Sequence, residues 1–326
     1  MTKHYRIISY GIREKRIFFF LICSLLVTIS GCQKMFGAQK PLCTPEECFG
    51  DTKIIALCHA IEEGNIVKIE NCISEGADVN VIGKVVTKRG IRKDIPLLLW
   101  SFPFGEKVLE CLLKHGADTN YLYAEGEKFH KSFLYIALDG WYADPQFRNY
   151  VDILLKYGAD PDLGDSSPLI PAALHGDYTY HALTCLVEAG ADLNKGDIIG
   201  GEYPVTAASR HKNYKALLYL LESGATYDVT TIPGGTIQRI LYQHRAERTS
   251  LTSDQREYIK KHFPGQLESL EENEKNFNKV IKWLEDHGVS FDKPVPHATS
   301  TKKPEPVHKK PKVKENVLLG AVLKLM

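Results

Sequence analysis

The chain has 326 residues, 44% hydrophobic and 25% charged, with 25 Gly and 16 Pro; this globular composition excludes a collagen, a disulfide mini-protein and wholesale disorder. Lys and Arg number 41 against 40 Asp and Glu, but unevenly: residues 32–292 hold 28 basic and 37 acidic residues, while 293–326 hold eight Lys and two Glu. An acidic body repels a phosphate backbone, which excludes DNA and RNA as partners.

Residues 1–31 read as a leader rather than as part of the fold. Lys3, Arg6, Arg13, Lys15 and Arg16 make a positive start, and the run from Ile17 to Ser30 is apolar for 14 residues, too short and wrongly flanked to span a membrane. The run ends in Ile29-Ser30-Gly31-Cys32. This ending resembles the lipobox of bacterial lipoproteins, in which an aliphatic residue and two small ones precede the Cys that is acylated and becomes the mature N-terminus. The resemblance implies lipid on Cys32, and two or more acyl chains hold a protein stably on a membrane. It also implies the periplasmic face of the outer membrane, because Gln33 stands where Asp would retain the protein in the inner membrane. Met35 lies just past the lipobox, and initiation there would give a minor, leaderless cytosolic form.

Residues 32–50 read as a lipidated tether. Within it Cys43 and Cys48 (CTPEEC) bracket a Pro-containing loop. The periplasm permits a disulfide, yet connectivity is not readable from sequence, so a Cys43–Cys48 bridge and a pair of thiols both stand. Cys72 occupies a position held by Leu in the repeats below and reads as a buried small hydrophobe. No Cys/His spacing fits a zinc site, and neither a metal nor a cofactor is expected.

The body, 51–292, is self-similar. Gly-Ala-Asp-x-Asn/Asp recurs as GADVN (76–80), GADTN (116–120), GADPD (158–162) and GADLN (190–194), with degenerate copies GATYD (224–228) and GVSFD (288–292). An apolar i, i+3, i+4 face precedes each, as in Val108, Leu109, Leu112 and Leu113. Gly then stops the helix and Asp or Asn ties the turn. Pro168-Leu169-x-x-Ala172-Ala173-x-x-Gly176 resembles the PLHxAAxxG signature of ankyrin repeats, and two Gly-to-Gly intervals, 32 and 34, match that family's period. The resemblance implies an all-α fold, an ankyrin-repeat solenoid of helix-turn-helix units with hairpin loops, about six repeats with insertions.

Insertions are where such a stack would meet a partner. The segment 81–94 places Lys84, Lys88, Arg89, Arg92 and Lys93 beside Asp94, either as a finger for an acidic contact or as a solvated hairpin. The segment 121–131 carries Tyr121, Tyr123 and Phe129, and a lengthened loop carries Trp141 and Tyr142. Such aromatics are interface anchors or pack under their own loops. Further along, helices are expected near Thr236–His244, from Leu251 to His262 with Thr252 or Ser253 as cap, and from Asn276 to His287. The insertion among them is expected to close the stack. Residues 293–326 form a Pro/Lys-rich tail that ends in the apolar VLLGAVLKLM.

No GxSxG, HExxH, P-loop or GxGxxG pattern is present, so an enzyme is not expected. A lipid-tethered ankyrin stack resembles a group of immunity proteins, lipoproteins that protect type VI-secreting bacteria from their own phospholipase (lipase) effectors. That resemblance implies a protein that is monomeric when unbound and neutralises a cognate lipase in the periplasm. The alternative is a periplasmic scaffold or adaptor that supports an envelope enzyme or complex.

Overall fold

The computed structural model describes residues 43–86, 92–124, 129–139, 149–174, 176–198, 201–228, 230–231, 235–247, 252–263 and 265–292. The leader, Cys32, Met35, the tail 293–326, Lys88, Arg89, Trp141 and Tyr142 lie outside these residues. The described chain is mostly helical, with a few strands of two to five residues. No helix among the described residues is long and apolar enough to cross a membrane.

One local design recurs along the chain. A helix starts on a side-chain cap: Asp51 accepts from Lys53 N, Asn65 from Lys68 N, Ser132 from Tyr135 N and Asn213 from Ala216 N. The second helix of a pair ends on a Gly with positive φ, 94° at Gly76, 87° at Gly116 and 98° at Gly224, where a side chain would be strained. The following residue reaches back across the last turn, Ala77 N to Cys72 O at 3.0 Å and Ala117 N to Leu112 O at 3.1 Å. Asp then ties the next turn, Asp78 Oδ1 accepting Asn80 N and Asp118 Oδ1 accepting Asn120 N, each at 2.8 Å.

The fifth residue of the phrase links one turn to the next. Asn80 donates to Gly116 O at 3.0 Å and accepts from Asp118 N at 2.7 Å, and Asn120 donates to Gly158 O at 3.0 Å. Asp162 accepts from Asp192 N, and Asn194 from Thr226 N at 2.8 Å. Each link satisfies backbone groups that the helix end leaves open.

The chain divides into two compact units, one within Met1–Ala124 and Trp141–Gly158 and the other within Glu125–Gly140 and Ala159–Met326. In the first, helices Thr52–Glu62 and Ile66–Ser74 pair, and Ile66–Ser74, Glu106–Lys114 and Tyr150–Lys156 pack in sequence. Leu57, Ile61, Ile69, Trp100, Leu112 and Tyr150 are buried among them. Tyr150 keeps its hydroxyl satisfied on Phe102 O at 2.7 Å.

Residues 43–50, read from the sequence as part of the tether, are folded. Cys43 and Cys48 are joined by a disulfide around the short helix Pro45–Cys48. Trp100 Nε1 donates to Cys43 O at 3.0 Å, and Phe49 meets Trp100 edge-on at 6.0 Å. A Cβ at Gly83 would fall 2.6 Å from the Phe49 ring and 2.7 Å from Cys48 O, so this strand position needs glycine for space.

In the second unit Leu169–Leu174 packs on Phe133–Leu138, on Asp177–Glu188 and on Pro204–Arg210; Pro204–Arg210 in turn packs on Tyr214–Glu222 and Ile237–Glu247. The fully buried pairs Ala172, Ala173 and Ala207, Ala208 permit the close approach. Tyr214–Glu222 packs on Gln266–Asp286, a helix ten residues longer at its start than expected. That helix buries only its second half, Asn276, Phe277, Val280, Ile281 and Leu284, while Ser253–His262 buries no residue. The insertion therefore covers less than the sequence reading expects, because its apolar residues are too few to make an inward face.

Candidate functional site

Two of the segments singled out in the sequence meet in the first unit. Strands Ile82–Val86 and Arg92–Pro96 pair antiparallel, with Lys84 opposite Asp94 and Val85 opposite Lys93. Lys84 thus faces an opposite charge across the ladder, which partly neutralises the described base of the basic finger. Lys93 extends its ammonium over the Tyr123 ring, 5.7 Å from the centroid. Burial, with the charges of Asp94 and Tyr123 near it, raises the Tyr121 phenol above its ordinary pKa. Lys93, Tyr121 and Tyr123 are all half-buried and sit beside exposed Asp94 and Leu122. Of Arg92 only the backbone, at the start of its strand, is described.

Phe129 belongs to the second unit. It meets Tyr135 edge-on at 6.3 Å, and Lys131 lies over both rings, 5.6 and 5.1 Å from their centroids. Lys131 is held by Asp139 at 2.6 Å. Tyr135 is raised by burial first and by Asp139 next. The reading of Phe129 as packing near its own loop fits this placement. Lys131, Tyr135 and Asp139 were not singled out from the sequence: they come from the strand His130–Lys131, the helix Phe133–Leu138 and its C-terminal cap, so no single periodicity joins them.

Next to this cluster Asp165 accepts both the ring Nδ1 of His130, at 2.9 Å, and its backbone N–H, at 2.8 Å, while Asp165 N donates back to His130 O at 3.0 Å. The His130 backbone N–H, then its ring, holds the Asp165 carboxyl below the usual range. Lys195 donates to Gly164 O at 2.6 Å and to Asp162 O. All of these but the ring–carboxylate bond tie backbone groups, so the contacts lock the loop.

The thiols differ in setting. Burial, with Glu62 and Glu46 adding to it, pushes the Cys58 thiol up to about 12, and burial also raises Cys111. Cys72 is half-buried rather than buried, because Ile66–Ser74 turns only Ile69 fully inward. It lines a shallow open depression with His59, Glu63, Lys68, Asn71 and Glu75. Above the depression His59 is gripped from two elements, Nδ1 by Glu62 and Nε2 by Glu46, each at 3.0 Å.

Two of these segments thus bring half-buried aromatic and cationic side chains together with acids close by. No protein-family model matches the chain, and no curated protein matches it.

Proposed function

We propose that the chain is an ankyrin-repeat solenoid of about six repeats, anchored by lipid on Cys32 at the periplasmic face of the outer membrane, that binds and neutralises a phospholipase effector of type VI secretion. The observation that carries the repeat reading is the turn-to-turn linkage by Asn80, Asn120, Asp162 and Asn194. Within each unit such links bring consecutive turns side by side, as in a stack of repeats. The paired segment around Lys93, Tyr121 and Tyr123 is the anchor this reading assigns to the lipase. Phe129 is a lesser contact, since Tyr135 already covers part of its ring.

An inhibitor of this kind covers on the order of 1,600 Å² in total. The test is a pull-down from native lysate with the disulfide intact, followed by lipase assay of whatever is captured. One stoichiometric lipase whose activity falls on binding supports the proposal. Capture of several envelope proteins with no activity lost supports the scaffold instead. In the inhibitory complex, Lys93→Ala with Tyr123→Ala raises Kd at least about tenfold; an unchanged Kd would remove the hairpin from the interface.

A further inference from the structure

Helix Asp177–Glu188, in the second unit, turns Thr179, Ala182, Leu183 and Leu186 inward, where all four are buried. Thr179 ties it to the preceding helix by donating to Ala172 O at 2.6 Å. That inward face leaves His181 and Cys185 on the outer flank, His181 exposed and Cys185 half-buried. Residues four apart on a helix are neighbours, and Cys185 Sγ stands 3.6 Å from His181 Nε2 and 3.8 Å from Nδ1.

We propose that His181 and Cys185 form a two-donor site for a thiophilic divalent cation of the Zn²⁺ class. A tetrahedral zinc holds sulfur at about 2.3 Å and imidazole nitrogen at about 2.0–2.1 Å, which sets the two ligand atoms roughly 3.5–3.6 Å apart. Sγ and Nε2 already stand at that separation on one helix, so binding needs no backbone change. On coordination the thiol gives its proton to water and the sulfur's electron pair forms the bond to the metal, while Nε2 donates its lone pair with the ring proton on Nδ1. Thiolate with imidazole favours Zn²⁺ over Mg²⁺ and Ca²⁺, which take oxygen ligands. The pair is not the closed four-ligand set that the sequence lacks: two positions remain for water or for donors of a bound molecule. Glu188 follows one turn beyond Cys185, exposed. Burial first, then Glu188 and Tyr180, raise the Tyr219 phenol, Ser223 lowers it and Cys185 adds a further rise, so acid and thiol stand around one ring and add negative field for a cation. The other described thiols are set differently. Cys58 and Cys111 are buried, and Cys111 Sγ is 4.0 Å from a His115 Nδ1 that already bonds Cys111 O at 2.8 Å. Beside Cys72, His59 has both ring nitrogens on carboxylates.

The test is titration of the full chain, disulfide intact, with Cd²⁺ as probe and Zn²⁺ as competitor, read by thiolate-to-metal charge-transfer absorption and by cadmium NMR. One equivalent of Cd²⁺ should bind, yield to Zn²⁺ and resist an excess of Mg²⁺. Cys185→Ser should abolish the absorption, His181→Ala should raise Kd at least about tenfold, and Cys72→Ser should bind like the parent. Absence of the absorption in the parent chain would overturn the proposal, as would absorption that survives Cys185→Ser or falls instead in Cys72→Ser. An unchanged Kd in His181→Ala would overturn it too, by reducing the site to a single thiol. Thermal melts accompany each variant; should Cys185→Ser lower the melt, the exposed His181 variant decides alone.

Discussion

The turn-to-turn links contain a natural imperfection that predicts a stabilising substitution, Asp162→Asn. Where Asn stands, the side chain serves two groups: Asn80 accepts from Asp118 N and donates to Gly116 O. Asp162 accepts Asp192 N through both oxygens, at 2.9 and 3.0 Å, but a carboxylate has no N–H to offer Gly190 O. Burial raises the pKa of Asp162; the Asp192 N–H lowers it, the charges of Asp192 and Asp160 raise it, and Lys195 lowers it. A raised folded pKa means that the fold favours the protonated form. The group's contribution is therefore best below its unfolded value near 3.8 and is lost as pH rises through the folded value. Asparagine keeps the acceptor, adds a donor and removes the charge. One added hydrogen bond is worth about 1 kcal/mol net, or roughly 2–4 °C in Tm for a domain of this size. The assay is urea and thermal unfolding with the disulfide intact, at pH 7 and pH 4. The gain should be larger at pH 7, and the reciprocal Asn120→Asp should lose a similar amount. A loss of stability in Asp162→Asn, or a gain independent of pH, would refute the reasoning.

Two further outcomes follow from the first unit. The Glu62 hydrogen bond, and then Glu46, raise the pKa of His59 above 6.5; its contribution is full below 6.5 and lost as pH rises through the folded value. Proton NMR of the His59 ring should place its midpoint above 6.5 and see it fall in Glu46→Gln, and an unmoved midpoint would remove Glu46 from the clamp. Replacing both Cys43 and Cys48 by Ser frees a loop with a sequence separation of 5, which costs about 2 kcal/mol by chain entropy and should lower the unfolding midpoint in urea. The same midpoint in reduced and oxidised protein would mean that the Trp100 and Phe49 contacts alone hold the segment.

What was legible in the sequence was whatever repeats. Gly76 and Asp78 announce a helix stop and an Asx tie, each set by local chemistry and each found in place. The paired alanines at 172 and 173 announced close helix packing for the same reason: small side chains have one use on a helix face that is buried. The link from Asn80 to residues 116 and 118 was invisible, because its partners are backbone groups whose position depends on the intervening 36 to 38 residues. The same distinction governs the surface. That Tyr121, Tyr123 and Lys93 occur in insertions is a fact of sequence, but the meeting of Lys93 with Tyr123 depends on strand Arg92–Pro96 lying beside Tyr123–Ala124, which no local signal announces. Sequence therefore identifies the kinds of side chain that can recognise a partner. The insertion at 252–275 follows the same logic in reverse: its first helix is legible from capping Thr252, the helical stretch 266–275 was not read, and the lack of burial is a property of everything that does not pack on them.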